Sequence, residues 1–163
     1  MHQRLDRFVL FLITLTLCLL SGRAIAQISE GGVPPSFGLK AAADNIAVVA
    51  VRPPDVPALL AEDQSEEAKD VPFRFGYPYE VSYDMTNAGT WDTLVDGSRL
   101  WRLRIECPGA YSINLVYRMF WMPPGAKFFV YNEDRSHVIG AFTERNNKEY
   151  GQFATAPVPG SVS

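Results

Sequence analysis

Residues 91–142 constrain the fold most, because apolar and polar residues alternate along this stretch and turn signals interrupt it at short intervals. Successive side chains of a β-strand point to opposite faces, so a period of two is typical of half-buried strands. Turn residues at 108–109, 123–125 and 132–136 separate the alternating runs. Short strands at this spacing predict an all-β fold, namely an antiparallel β-sandwich with a jelly-roll-like meander.

Two runs define the predicted core faces. In each run, the residues at every second position are predicted to share one face. These residues are Trp101, Leu103, Ile105 and Cys107 in the first run, and Tyr111, Ile113, Leu115, Tyr117, Met119 and Trp121 in the second. The opposite face of the first run carries Arg102, Arg104 and Glu106, which are expected to face solvent. Between residues 91–95 and this run lies Asp96-Gly97, a dipeptide that predicts a hairpin with a type I′ turn.

The N-terminus predicts export. Arg4 and Arg7 precede an apolar run over residues 8–20, and Ala24-Ile25-Ala26 provides small residues at the positions of a cleavage site. This pattern is typical of a secretory signal peptide over residues 1–26, and the run is shorter than the about 20 apolar residues that span a membrane. We therefore expect a secreted protein, periplasmic or extracellular, without a stable membrane anchor. Lipidation at Cys18 is disfavoured by the large residue before it.

The predicted domain organisation continues with an extended arm or linker over residues 27–45, rich in Gly, Pro, Ala and Ser, and a β-sandwich domain over residues 46–163. Within that domain, residues 46–51 predict a short strand, and Asp55 is a candidate cap for a short helix over residues 56–61. The acidic residues 62–70 are interpreted as a solvated surface loop.

Residues 72–84 predict an edge strand with an aromatic ladder, in which Pro78 cannot donate a hydrogen bond to a neighbouring strand. Its aromatic positions are Phe75, Tyr77, Tyr79 and Tyr83. Such a row either packs against the sheet or forms a glycan-binding platform.

The C-terminal part predicts a polar turn at residues 144–149 and a last strand at residues 150–155. Residues 156–163 are interpreted as an open end, consistent with a domain truncated from a longer chain. After removal of residues 1–26, Cys107 is the single cysteine, so its thiol is either buried in the core or paired with a cysteine of another polypeptide.

The inventory of chemically reactive residues is small. His137 is the single histidine beyond residue 26, and alternation places the adjacent Ser136 on the opposite face of its strand. No signature of a serine hydrolase, a phosphate-binding loop or a clustered basic patch occurs. The oxygen-bearing residues 132–134 are interpreted as hairpin-turn residues and not as Ca²⁺ ligands. We therefore predict no catalytic residues, no metal, no cofactor and no nucleic acid partner.

The runs DGSRLWRLRI, PGAYSINL and PPGAKFFVYNEDRSHVIGAFT give residues 31–163 a resemblance to the N-terminal region of secreted bacterial trypsin-like serine endopeptidases of the lysyl endopeptidase type. In that family a signal peptide and a non-catalytic β-rich pro-region precede the protease domain. The family's catalytic histidine, aspartate and serine belong to the protease domain, so the resemblance transfers no catalytic residue to this sequence.

Two hypotheses follow. The first is a pro-region or accessory domain of a serine endopeptidase precursor, which binds its protease domain in cis or in trans through a sheet face carrying Arg102, Arg104 and Arg118. A full-length precursor of that kind would be a serine endopeptidase. The second is a secreted β-sandwich that uses its abundant aromatic residues to bind glycans or a cell-surface partner.

Overall fold

The structure, a computed structural model, describes residues 28–39, 45–67, 72 and 74–163. These residues form a small β-rich fold with little helix, which confirms the predicted β-rich class. The predicted signal peptide, residues 1–26, lies outside the described residues. No helix among the residues that the structure describes is long and apolar enough to cross a bilayer.

The described chain contains one α-helix, α1 (Val56–Glu67), and two 3₁₀ turns, at Pro35–Gly38 and Glu144–Asn146. The strands are β1 (Val48–Ala50), β2 (Thr90–Thr93), β3 (Arg99–Arg102), β4 (Arg104–Glu106), β5 (Ser112–Ile113), β6 (Val116–Tyr117), β7 (Phe128–Tyr131), β8 (Val138–Phe142), β9 (Phe153–Ala154) and β10 (Val158–Pro159).

The described strands pair two by two. β2 with β3, β7 with β8, β5 with β10 and β6 with β9 are antiparallel, whereas β1 with β4 is parallel. The prediction of antiparallel pairing throughout is therefore wrong for β1, because residues 51–103 form a long connection that returns the chain in the same direction. The stacking of two sheets into a sandwich stays a prediction.

β4 lies between two partners. On one side it pairs with β1, and on the other its Ile105 exchanges two hydrogen bonds with Ser163, at 2.6 and 3.0 Å. The N–H of Cys107 also donates to the carbonyl of Ser161 at 2.7 Å. Residues 156–163 are not the contact-free end that was predicted, because β10 and residues 161–163 satisfy backbone groups of β5 and β4, whereas truncation from a longer chain stays a prediction.

The segment of residues 28–39 packs on the β7–β8 hairpin. The N–H of Glu30 donates to the carbonyl of Ala141, and the N–H of Ala141 donates to the carbonyl of Gly31. Farther along, the Ser36 hydroxyl lies 2.8 Å from the phenol oxygen of Tyr131. The described part of the predicted arm therefore adds contacts to an existing hairpin.

Two turns form at glycines that separate the alternating runs of the sequence. Gly109 and Gly125 both have φ of 81° and follow a proline, and hydrogen bonds from Ala110 to Cys107 and from Ala126 to Pro123 close both turns. These are type II turns, which require a positive φ at the third position.

The β2–β3 hairpin exists as predicted, but its turn differs. The N–H of Gly97 donates to the carbonyl of Leu94, Gly97 has φ of 83°, and Asp96 has no positive φ. This is a type I turn followed by a left-handed glycine, and not the predicted type I′ turn. The Asp96 carboxylate accepts hydrogen bonds from the N–H and the hydroxyl of Ser98, which stabilises the turn without a positive φ at Asp96.

The core is an aromatic cluster between β6, β7, β8 and β9. Phe120, Phe142 and Phe153 are buried in it, and the ring centroids of Phe120 and Phe153 stack at 4.3 Å. The half-buried residues that pack against this cluster are Tyr117, Met122, Phe128 and Ile139. Burial of these side chains stabilises the fold through the apolar area that it removes from water.

Two predictions for residues 56–84 are corrected. α1 begins as expected, with Asp55 accepting a hydrogen bond from the N–H of Ala58, but it continues to Glu67 through the predicted loop. Extending a helix that has started costs little, and its acidic side chains contact Arg74. Residues 74–83 form no strand, because they pair with no other described strand.

Candidate binding surface

His137 and its neighbouring Ser136 belong to the β7–β8 turn. Ser136 Oγ lies 2.7 Å from Asp134 Oδ1 and 3.0 Å from Asn132 Nδ2, and the N–H of His137 donates to Asn132 Oδ1. These contacts order the turn, and none of them joins the serine hydroxyl to the imidazole. Among the residues that the structure describes, no three His, Cys, Asp or Glu side chains cluster as metal ligands would.

Arg102, predicted to face a partner, is buried. Its Nε and Nη2 atoms lie 3.1 and 2.7 Å from Asp92 Oδ2, and its side chain is 6% exposed. Arg102 lies opposite Thr90 in the β2–β3 ladder, so Asp92 is its diagonal cross-strand neighbour. This pairing removes Arg102 from the solvent-facing set that alternation predicted.

Arg104 is half-buried and bridges two carboxylates, Glu106 at 2.8 Å and Glu133. These carboxylates raise the pKa of its guanidinium, Glu133 contributing most. Because Glu133 lies in the β7–β8 turn, Arg104 connects β4 to that hairpin. Both ion pairs of the Arg104 guanidinium are therefore made within the chain.

Arg118 is the member of the predicted trio that lies at the surface, where it contacts Glu80. Exposed apolar side chains surround it in sequence, with Met119 78% exposed and Trp121 66% exposed. Val116, two residues earlier, is also exposed. We call Val116, Arg118, Met119 and Trp121 the Arg118 surface.

The local fold forces these side chains outward. The N–H of Phe120 donates to the carbonyl of Gly151 at 2.7 Å. The N–H of Met122 donates to Asn147 Oδ1 at 2.8 Å, and Asn147 Nδ2 donates to the carbonyl of Met122 at 2.9 Å. These hydrogen bonds hold Phe120 in the core, so the residues on either side of it face solvent. The predicted core positions Met119 and Trp121 are therefore wrong, since Phe120 takes the buried place.

A second exposed apolar stretch lies nearby. Among residues 75–83, which we call the aromatic segment, the exposed large side chains are Phe75, Tyr77, Tyr79, Val81 and Tyr83. The phenol of Tyr79 donates to the carbonyl of Arg52 at 2.6 Å, and the rings of Tyr77 and Tyr79 meet edge to face at 5.0 Å. Glu80 connects this segment to the Arg118 surface through its contact with Arg118.

Burial raises the pKa values of Cys107 and Tyr117. The thiol of Cys107, half-buried after β4, is shifted upward by desolvation, and so is the phenol of Tyr117 beside the aromatic core. Desolvation disfavours the charged form of both groups, so both stay neutral at ordinary pH. A thiol held in this form is a poor nucleophile, whereas burial of Cys107 in the core and its pairing with another polypeptide both stay predictions.

No known protein family matches this chain, and no solved structure matches it. Sequence alternation identified Arg118 but missed the exposure of its apolar neighbours. Alternation placed Trp121 in the core in place of Phe120, and residue type gives no correction, because both are large aromatic residues in one uninterrupted run.

Proposed function

We propose that this chain is a non-catalytic pro- or accessory domain of a secreted serine endopeptidase precursor, which binds a protease domain in cis or in trans. Export through a signal peptide over residues 1–26 and a sandwich-like stacking of the β-pairs are parts of this proposal. Its starting point is the resemblance of residues 31–163 to the pro-region of lysyl endopeptidase-type enzymes.

The observation that carries the proposal is the composition and exposure of the Arg118 surface. Trp121 and Met119 expose most of their area on either side of a buried core residue. Trp, Met and Arg are enriched in the centres of protein–protein interfaces, where a partner covers their apolar area. These four residues therefore have the chemistry of an interface that accepts an apolar, partly acidic surface.

The proposed mechanism is association without a chemical step. A surface that binds the folded protease domain stabilises it by mass action and promotes its folding, since the unfolded chain lacks the matching patch. Bound across the substrate cleft, the same domain holds the protease inactive until proteolysis removes it. The three exposed apolar residues act as anchors, and Arg118 supplies orientation through charge.

Refolding measures this function directly. The protease domain of a lysyl endopeptidase is refolded with residues 27–163 of this chain at several ratios, and recovered peptidase activity is recorded. We expect a higher refolding yield with the native chain, and loss of that gain with Trp121→Ala. Tyr111→Ala is the matched control, because Tyr111 is a fully exposed aromatic residue outside the Arg118 surface. An unchanged yield with the native chain at every ratio would contradict the proposal.

Glycan binding is the second candidate, and the exposure of Trp91, Trp121 and Tyr111 favours it. Flat aromatic rings at a protein surface stack on the apolar faces of sugars. A glycan array combined with titration of tryptophan fluorescence tests this function. A change of fluorescence that Trp121→Ala abolishes would support it, and the absence of binding to every polysaccharide would remove it.

A further inference from the structure

The backbone of the aromatic segment is open to pairing. Residues 75–84 run without a turn or bend, and the N–H and C=O groups of residues 75–81 make no hydrogen bond to another residue that the structure describes. The segment is nevertheless anchored by its side chains: Tyr79 binds the carbonyl of Arg52, and Glu80 binds Arg118. An exposed, extended backbone with free donors and acceptors is a template for another strand.

Hydrogen bonds at the end of the segment show which edge faces the following turn, residues 85–87. The carbonyl of Ser82 accepts from Asn87 Nδ2 at 3.1 Å, and the N–H of Asp84 donates to Asn87 Oδ1 at 2.9 Å. In an extended chain, backbone groups of residues two apart point to the same side. In a strand, the even-numbered residues therefore direct their backbone groups toward the side of this turn, the inner edge, and the odd-numbered residues 75, 77, 79 and 81 direct theirs to the opposite, outer edge.

Pro78 agrees with this assignment. A proline lacks the N–H that a strand pair needs, and is tolerated where that position faces away from the partner strand. Pro78 is even-numbered, so its missing donor lies on the inner edge. The outer edge keeps an unbroken series of donors and acceptors from Phe75 to Val81.

We propose that the aromatic segment pairs with the same segment of a second copy of this chain, antiparallel, about a two-fold axis at Tyr77. In this register Phe75 lies opposite Tyr79 of the second copy, which forms two aromatic cross-strand pairs. Arg74 lies opposite Glu80 of the second copy, which forms two pairs of opposite charge. The aromatic pairs and the charged pairs share the midpoint Tyr77, as a symmetric dimer requires.

The exposure of the aromatic side chains in this segment is consistent with pairing to a second copy of the chain. Phe75 is 86% exposed, and Tyr77 is also exposed, although both are large and apolar. Pairing covers these rings with their equivalents and completes the backbone hydrogen bonds at the same time. The inference goes beyond the proposed protease partner and does not depend on it, since the dimer forms from this chain alone.

Exchange of the charges at residues 74 and 80 tests the register of the proposed strand pair. Sedimentation velocity of the purified chain over a range of concentrations gives its dimer dissociation constant. Glu80→Arg places arginines opposite each other, Arg74→Glu places glutamates opposite each other, and each variant should weaken the dimer about ten-fold. An equimolar mixture restores opposite charges in the mixed dimer, so its dissociation constant should return to within about three-fold of the native value.

The mixture separates contacts between chains from contacts within them. Arg74 also binds Glu62 and Asp63 of α1, and Glu80 binds Arg118, so each variant loses contacts inside its own chain. Those losses persist in the mixture, and recovery can come only from contacts between chains. A native chain that stays monomeric at all concentrations, or a mixture without recovery, overturns the proposal.

Backbone substitutions give an independent result. Tyr77→Pro removes an outward N–H at the two-fold axis, whereas Gly76→Pro removes an N–H on the inner edge, at a residue where an added Cβ meets open space. We expect Tyr77→Pro to abolish the dimer and Gly76→Pro to keep it. Equal effects of the two substitutions would show that the odd-numbered edge does not pair, and thermal unfolding of both variants establishes that each is folded.

Discussion

The guanidinium of Arg102 lies against the carboxylate of Asp92, with Nη2 and Nε 2.7 and 3.1 Å from the same Oδ2 atom. The arginine is buried and the aspartate is 28% exposed. A buried guanidinium needs such a partner, because an uncompensated charge away from water is strongly unfavourable. The pair therefore joins β2 to β3 from a position that alternation assigned to solvent.

Asp92→Asn should lower the free energy of unfolding by about 2 kcal/mol, because it leaves the buried guanidinium without its counter-charge. Chemical denaturation measures the change. Glu133→Gln is the control, since it removes an exposed partner of Arg104 and should cost less than about 1 kcal/mol. Equal losses for both variants would contradict the role assigned to burial.

Gly140→Ala should destabilise the β7–β8 hairpin by about 3 kcal/mol. Gly140 has φ of 109°, and an added Cβ would lie 2.4 Å from the carbonyl oxygen of Phe128. Gly97→Ala has a comparable φ but open space around the new atom, so only the backbone term of about 1 kcal/mol remains. Thermal unfolding compares the two, and a larger loss at Gly97 would refute the steric argument.

The core assignment predicts opposite results at neighbouring aromatic residues. Phe120→Ala should cost about 4 kcal/mol, because Phe120 stacks on Phe153 inside the core. Trp121→Ala should change stability by less than about 0.5 kcal/mol, because Trp121 faces solvent. Urea denaturation of both variants measures the difference. A larger loss of stability for Trp121→Ala than for Phe120→Ala would contradict this assignment and favour Trp121 as the core residue, as alternation predicts.

The β2–β3 turn predicts a measurable titration. Hydrogen bonds from the Ser98 hydroxyl, and then from its N–H, lower the pKa of Asp96 below its ordinary value. Ser98→Ala removes the larger of the two effects, so the pKa of Asp96 should rise, as followed by NMR of the carboxyl carbon. Asp134, which makes the same contacts with Ser136, serves as an internal reference and should not move.

The sign of the linked stability follows from that direction. A carboxyl group whose pKa is lower in the folded state stabilises the fold above its unfolded pKa, near 4, and that contribution is lost as the pH falls toward the folded pKa. The native chain should therefore lose more stability than Ser98→Ala on acidification below about pH 4. Parallel loss in both proteins would show that the Asp96 contact contributes nothing to folding.

Local sequence determined the elements that depend on a few adjacent residues. The helix start at Asp55, the hairpin at Asp96-Gly97 and the two proline–glycine turns were all predictable, because capping and φ preferences act over three or four positions. The β-rich class was predictable for a similar reason, since the period of two persists over many residues. Of the four residues of the Arg118 surface, the sequence identified only Arg118 as facing a partner.

Tertiary structure decided which side of each strand is buried and what pairs with it. Phe120 and Trp121 compete for one place in the core, and contacts from Gly151 and Asn147, far along the chain, decide between them. The burial of Arg102 and the pairing of Ser163 with Ile105 likewise depend on partners distant in sequence. Periodicity specifies that a strand has two faces, but only the groups brought against those faces determine which one excludes water.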